Sequence, residues 1–335
     1  MSEELDWEKL EEVFTKAIDL GEDDRGPYVA NACNGNTMMF DEVQSLLEAH
    51  GIALERKWLQ QGKMPRMLDY GDLIDTFVVK KQLGRGAGGE VYKVVHEATG
   101  QNFAIKCLPL IYNDDKEVLQ RFTQEAELNK KLIHPNINRM YGLFQSDHGL
   151  YYLLMDYCEG ETLAALMNRF SFNQAQAVKV IDQVCKALSA AHAQRIWHRD
   201  IKPSNIILHN GVIKVIDFGI AKDAATALTA TGIKLGSPAY MSPEQWKSSK
   251  IDQRSDIWGV GILFYELLTG QLPFAGANYV EIQQKILHEP PAPPSRIRSE
   301  ISPLCDRLIS CMLAKKPDDR PHDIRVLIEA FKKIC

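Results

Sequence analysis

At Thr76 the chain becomes rich in short β-type runs, and after Glu161 it becomes rich in helices; few folds accommodate that order. Thr76-Phe77-Val78-Val79, Val91 to Val95, Phe103 to Lys106 and Tyr151 to Met155 are short β-branched and aromatic runs, and each predicts a strand. A helix is predicted between them over 114–132. Beyond Glu161, helical patterns cover about 173–194, 252–269, 277–288, 302–313 and 320–333, with an apolar strand from Val212 to Ile216. Strands grouped first and helices second argue an α+β fold of two lobes, one small and β-rich and one large and helical.

Residues 1–70 read as a separate helical extension. Leu5, Leu10, Val13, Phe14, Ala17, Ile18 and Leu20 recur near helical spacing, and Gly21 is a stop signal. A second helix is predicted from Met38 to His50, and Gly51 to Tyr70 reads as a connector. A docking or dimerisation module, giving a homodimer, and a lobe-packing extension are both open for this segment. The net charge of −5 and the absence of a basic block give no support to a nucleic-acid partner. The seven cysteines lack CxxC spacing, which argues for free thiols in a reducing compartment. The acidic start lacks a signal-peptide h-region and no apolar run reaches spanning length, so a cytoplasmic protein without membrane insertion is expected.

Four motifs carry chemistry. Gly84-Arg85-Gly86-Ala87-Gly88-Gly89-Glu90-Val91 is a glycine loop whose backbone can approach phosphates. A strand follows it, whereas a dinucleotide-binding loop would open a helix. Lys106 ends the run Phe103-Ala104-Ile105-Lys106, where a cation can reach the α- and β-phosphates under that loop. Glu125 is the choice for its anionic partner and Glu127 the rival; about 200° apart on one helix, they cannot both point inward. The third motif is His198-Arg199-Asp200-Ile201-Lys202-Pro203-Ser204-Asn205, and the fourth is Asp217-Phe218-Gly219. Each tripeptide alone is common, but the four in this order are not a chance set.

From Asp75 to Lys333 the sequence resembles the eukaryotic-type protein serine/threonine kinases, and their bacterial branch in particular. That resemblance implies the bilobal protein kinase fold over 75–333, with ATP and Mg²⁺ (or Mn²⁺) bound. Leu83 and the loop Gly84 to Val91 would cover the nucleotide, with Val91, Ala104 and Ile207 about the adenine. Met155 would be the gatekeeper, and Asp156 to Cys158 the hinge. Lys106, paired with Glu125, would hold phosphates; Asp200 would orient the substrate hydroxyl; Asn205 and Asp217 would hold the metal. Lys202 follows the serine/threonine pattern, implying protein substrates with serine or threonine acceptors. Ser237 and the Ser242-Pro243-Glu244 segment resemble the substrate-docking loop, Asp256 the buried anchor of the catalytic loop, and Arg320 the partner of Glu244.

Arg199 implies a phosphate on the activation segment, and Thr226, Thr229 and Thr231 are the candidates, with autophosphorylation expected at Thr229 or Thr231. Three residues depart from the family pattern: Trp197 before His198, Asn138, and Asn129 four residues after Glu125, where an apolar residue is usual. A polar Asn129 beneath Phe218 is expected to weaken their stacking, unless the helix register is off by a turn. Three other readings compete. A pseudokinase would lack Lys106, Asp200 or Asp217; a small-molecule phosphotransferase generally lacks the Ser237–Glu244 segment; a nicotinamide enzyme would want a helix after Gly89.

Overall fold

A computed structural model describes residues 67–86, 89–108, 116–218, 238–247 and 251–334, with scattered positions between 13 and 43. Among the latter, Val13, Ala17, Val29, Cys33, Met39 and Val43 form a small buried cluster, and Val13, Ala17, Val29, Met39 and Val43 are helical. Most of the predicted Met38–His50 helix lies outside the described residues. Chain contacts separate residues 1–67, with 228–233, from a unit holding 68–227 and 234–335.

The larger unit begins with strands β1 (Leu73–Ile74), β2 (Phe77–Gly86), β3 (Gly89–His96) and β4 (Asn102–Cys107). Helix α1 (Lys116–Asn129) follows, then β5 (Met140–Gln145) and β6 (Tyr151–Asp156). These strands make one antiparallel sheet of order β1-β2-β3-β4-β6-β5. Tyr92 and Val94 of β3, two apart on one face, are buried, and the adjacent Ala104 and Ile105 of β4 are buried on opposite faces.

After β7 (Glu161–Thr162) come the short α2 (Leu163–Met167) and the long α3 (Gln174–Ala193). Asn173 starts α3 in a reciprocal cap with Gln176. Strand β8 (Ile206–His209) pairs with β7 on one side and β9 (Val212–Val215) on the other in a small second sheet. Helices α4 (Pro243–Trp246), α5 (Gln253–Thr269), α6 (Tyr279–His288), α7 (Pro303–Met312) and α8 (Arg325–Phe331) complete the helical part.

Helix α5 is the axis of that part. It is buried on nearly all sides from Ser255 to Leu268, as expected of an apolar-all-round helix. Asp252 caps its start by accepting from the Arg254 amide, and Gly270 ends it in the left-handed conformation. At Gly259 a side chain would come within 3.0 Å of the Ile201 Cβ, so glycine lets the helix lie against the segment that follows Asp200. The last helix starts at Arg325, not at the expected Arg320, because Pro317–Asp319 form a 3-10 turn that turns Arg320 inward. Among the described residues no helix is long and apolar enough to cross a membrane.

Candidate active site

The β2–β3 hairpin carries the glycine loop, with Gly84 opposite Val91, Arg85 opposite Glu90 and Gly86 opposite Gly89. Gly89 is required by the chain itself: its φ is +113°, and an added Cβ would lie 1.9 Å from the Cys107 carbonyl oxygen. Gly84 is different, because nothing would lie within 4 Å of a Cβ added there. Leu83 is exposed. The Arg85 guanidinium pairs with Glu90 at 3.1 Å, and buried Glu90 also accepts from Gln82 at 3.1 Å and from the Tyr92 hydroxyl. Burial and that carboxylate push the Tyr92 phenol well up from its ordinary range. Ala87 and Gly88 lie outside the described residues.

Sheet register places the expected nucleotide-lining residues on one face. Val91 is directly opposite Lys106, and Ala104 directly opposite Met155; Ala104 and Lys106, two apart, project the same way. Beyond Met155 the chain is bracketed by side chains. Asn138 donates to the Asp156 carbonyl at 3.2 Å and accepts from the Cys158 thiol at 3.1 Å, while Tyr141 donates to the Asp156 carboxylate at 2.7 Å. Burial pushes the Cys158 thiol up to about 11. Asn138, noted in sequence only as a departure, therefore ties this segment to the stretch before β5.

Lys106 donates to the Asp217 carboxylate at 3.2 Å, bridging β4 to the residue after β9. The side chain of Glu125 lies outside the described residues; its rival Glu127 is exposed and pairs with Lys130 at 3.3 Å. Asp217 has φ +58°, a left-handed conformation that a non-glycine residue adopts only when its surroundings hold it. The residues around it supply that hold. The Ile216 amide donates to the Asn205 carbonyl at 2.9 Å, the His198 ring lies 2.9 Å from the Ile216 carbonyl, and Asn129 donates to the Phe218 carbonyl at 3.1 Å. The expected register of α1 thus stands: Asn129 faces Phe218, but it bonds the backbone, and the Phe218 ring packs edge-on against His198 at 4.7 Å.

The catalytic-loop motif folds back on itself. Asn205 donates its carboxamide to the Asp200 carbonyl at 2.8 Å and to the Asp200 carboxylate at 3.2 Å. Lys202 approaches that carboxylate to 2.9 Å. Ile207, half-buried, follows in β8. The loop is anchored from below by Asp256, whose carboxylate accepts from the amides of His198 at 2.9 Å and Arg199 at 2.7 Å and meets His192 at 2.8 Å. Burial pushes the Asp256 carboxyl up, but His192 and these amides outweigh it and hold it below its ordinary range. Gln245 of α4 adds a bond to the Arg199 carbonyl at 2.9 Å. Neither His192 nor Gln245 stands out in the sequence. Trp197 packs edge-on against His192 at 5.9 Å.

Helix α4 is locked by Glu244, which receives both terminal nitrogens of Arg320, at 2.8 and 2.9 Å, and the Ser255 hydroxyl at 2.6 Å. Next to Lys202, a cavity of about 250 Å³ is lined by Ala164, Met167, Tyr240 and Glu266. Ser237 and the threonines 226, 229 and 231 lie outside the described residues.

Comparison with known proteins agrees with this geometry. The protein kinase domain family matches residues 77–331. Serine/threonine-protein kinase pkn3 of Myxococcus xanthus is 37% identical over 267 residues, covering 76% of this chain and 48% of that protein. PrkC of Bacillus subtilis is 35% identical over 264 residues, covering 76% and 41%. The solved kinase domain of Mycobacterium tuberculosis PknI superposes with a TM-score of 0.63 at 26% identity, covering 80% of this chain and all of that one. The fold is that of a protein kinase domain, and the chain belongs to that family. Within it, the chain is similar to bacterial serine/threonine kinases, and it spans less than half the length of the curated relatives it matches.

Proposed function

We propose that this chain transfers the γ-phosphoryl group of ATP to serine and threonine hydroxyls of proteins. One observation carries the reading: an unbroken run of contacts joins the required groups. Lys106 meets Asp217, the residue before Asp217 is bonded to Asn205, and Asn205 and Lys202 both reach Asp200. Such a set is what phosphoryl transfer asks of a protein, because positioning and charge neutralisation do most of the work.

Each residue then has a task. Lys106 binds the α- and β-phosphates, with Glu125 as its partner. Val91, Ala104, Met155 and Ile207 bound the adenine site, and the Asp156–Cys158 backbone offers it hydrogen bonds. Asp200 orients the acceptor hydroxyl. As the acceptor oxygen bonds to the γ-phosphorus, the bond from that phosphorus to the bridging oxygen of ADP breaks and the hydroxyl proton passes to Asp200. Lys202 offsets charge on the group in flight. The cavity beside Lys202 is where an acceptor segment can lie.

Asn205 and Asp217 fit Mg²⁺. The Asn205 amide nitrogen is committed to Asp200, which leaves its oxygen for a cation, and Asp217 adds a carboxylate. Among the described residues no three His, Cys, Asp or Glu side chains gather, so these two donors suit an ion that keeps waters and takes phosphate oxygens. Held by Asn205 and Asp217, such an ion would supply neutralisation of phosphate charge.

We read residues 75–333 as the catalytic domain and 1–70 as a helical extension, supported by a family match that begins at residue 77. Autophosphorylation at Thr229 or Thr231, gripped by Arg199, is part of the proposal; mass spectrometry after incubation with MgATP tests it, and unmodified threonines in an active sample reject it. The main test is label transfer from γ-labelled ATP to casein followed by phosphoamino-acid analysis. Phosphoserine or phosphothreonine is expected, with loss of at least ~10³-fold in Asp200→Asn. Full transfer by that variant, or phosphotyrosine alone, defeats the reading.

A further inference from the structure

Helix α1 ends on a buried polar residue, and that residue makes a bond across to the metal-site segment. Asn129 is 6% exposed, and its carboxamide nitrogen donates to the carbonyl of Phe218 at 3.1 Å. Phe218 is itself buried. Between that carbonyl and the Asn205-bonded amide of Ile216 sits Asp217, held in the left-handed region at φ +58°. The Asp217 carboxylate faces Lys106.

The backbone on either side of Asp217 is therefore held by different parts of the molecule. Asn205 and His198 of the helical part bind Ile216, while Asn129 of α1 binds Phe218. An apolar residue at 129 would pack against the Phe218 ring but would leave the carbonyl without this donor. The space around the bond is small. A cavity of about 10 Å³ bounded by Asn129, Met155, Asp217 and Phe218 has room for about one water.

The geometry points to Asn129 as a positioning residue. By fixing the Phe218 carbonyl it sets the peptide plane that follows Asp217, and so aims the carboxylate that holds the metal. It also couples the position of α1 to metal binding, through one polar bond in place of apolar stacking. This inference rests on the reading of Asp217 as a metal ligand, and Asn129 itself touches neither nucleotide nor metal.

The test uses the full chain and a fluorescent ATP analogue, titrated with and without Mg²⁺ at constant ionic strength. The quantity read is the ratio of the two dissociation constants, which isolates the metal's contribution. Asn129→Leu is expected to reduce that ratio about 5-fold, the equivalent of the ~1 kcal/mol of one buried hydrogen bond, with metal-free binding unchanged. Asn129→Ala serves if the leucine variant does not fold, as judged by thermal melting. Asp217→Asn should abolish the Mg²⁺ enhancement; if it does not, the metal reading fails first. If Asp217→Asn loses the enhancement while both Asn129 variants keep the wild-type ratio, Asn129 is a packing residue only and the inference is overturned. A lower melting temperature with an unchanged ratio overturns it equally.

Discussion

Removing Arg320 should cost several kcal/mol of stability in the helical part. A guanidinium has five N–H donors, and Arg320 makes five bonds: to the carbonyls of Ala314, Arg254 and Lys315, and to both oxygens of Glu244. Its side chain is 0% exposed and that of Glu244 only 6%. Its guanidinium also lies over the Trp258 ring, 5.0 Å from the centroid. Burial pushes the Glu244 carboxyl up, yet Arg320 and Ser255 outweigh it and hold the group below its ordinary range. In Arg320→Met the carboxylate stays buried while losing both guanidinium bonds, and a broken buried pair costs about 3–5 kcal/mol. At roughly 2–4 °C per kcal/mol for a domain of this size, the melting temperature should fall by about 10 °C. The assay is urea and thermal unfolding of wild type, Arg320→Met, Glu244→Gln and the double variant. A coupling of about 2–3 kcal/mol between the two positions is expected. A single-variant loss below ~1 kcal/mol, or strictly additive losses, would refute the reasoning.

Other outcomes follow from the same geometry. Asp256→Asn should lower kcat by about 10²-fold by loosening the His198 and Arg199 amides, with little change in ATP affinity; equal losses in both would contradict an anchoring role. Because the folded-state pKa values of Asp256 and Glu244 are depressed, the stability they contribute is complete above their unfolded values near pH 4 and is lost as pH falls through the folded ones. Acid titration of unfolding should therefore be shallower below about pH 4 in Glu244→Gln than in wild type. Gly89→Ala should cost at least ~1–3 kcal/mol, since the new Cβ meets the Cys107 carbonyl at a positive φ. Gly84→Ala, with open space around it, should leave melting unchanged and weaken ATP binding instead; melting curves and nucleotide titrations of the pair check both.

What can be read from sequence divides along a physical line. Strong periodicity places α3 and α5 to within a residue or two, since long buried helices carry many apolar repeats. Strand β5 escapes such a reading, because Met140–Gln145 is interrupted by Gly142 at φ +146° and a register shift against β6. Strands β7 and β8 are too short to show a period. The motif residues Lys106, Asp200, Lys202, Asn205 and Asp217 stand out by type and order alone, and the fold pairs Lys106 with Asp217 and brings Lys202 and Asn205 to Asp200. His192 and Gln245 are not, because their meaning lies in partners 64 and 46 residues away. Asn129 and Asn138 stand out as departures, but only the fold shows them bonding the Phe218 and Asp156 carbonyls.

The central claim is that Lys106, Asp200, Asn205 and Asp217 surround one metal-bound triphosphate. A crystal structure of the chain with Mg²⁺ and a non-hydrolysable ATP analogue tests it directly. The account predicts Lys106 moved from Asp217 onto α- and β-phosphate oxygens, and a cation about 2.0–2.1 Å from oxygens of Asn205 and Asp217. Nucleotide bound away from the β2–β3 hairpin, or a metal held without either residue, would contradict it.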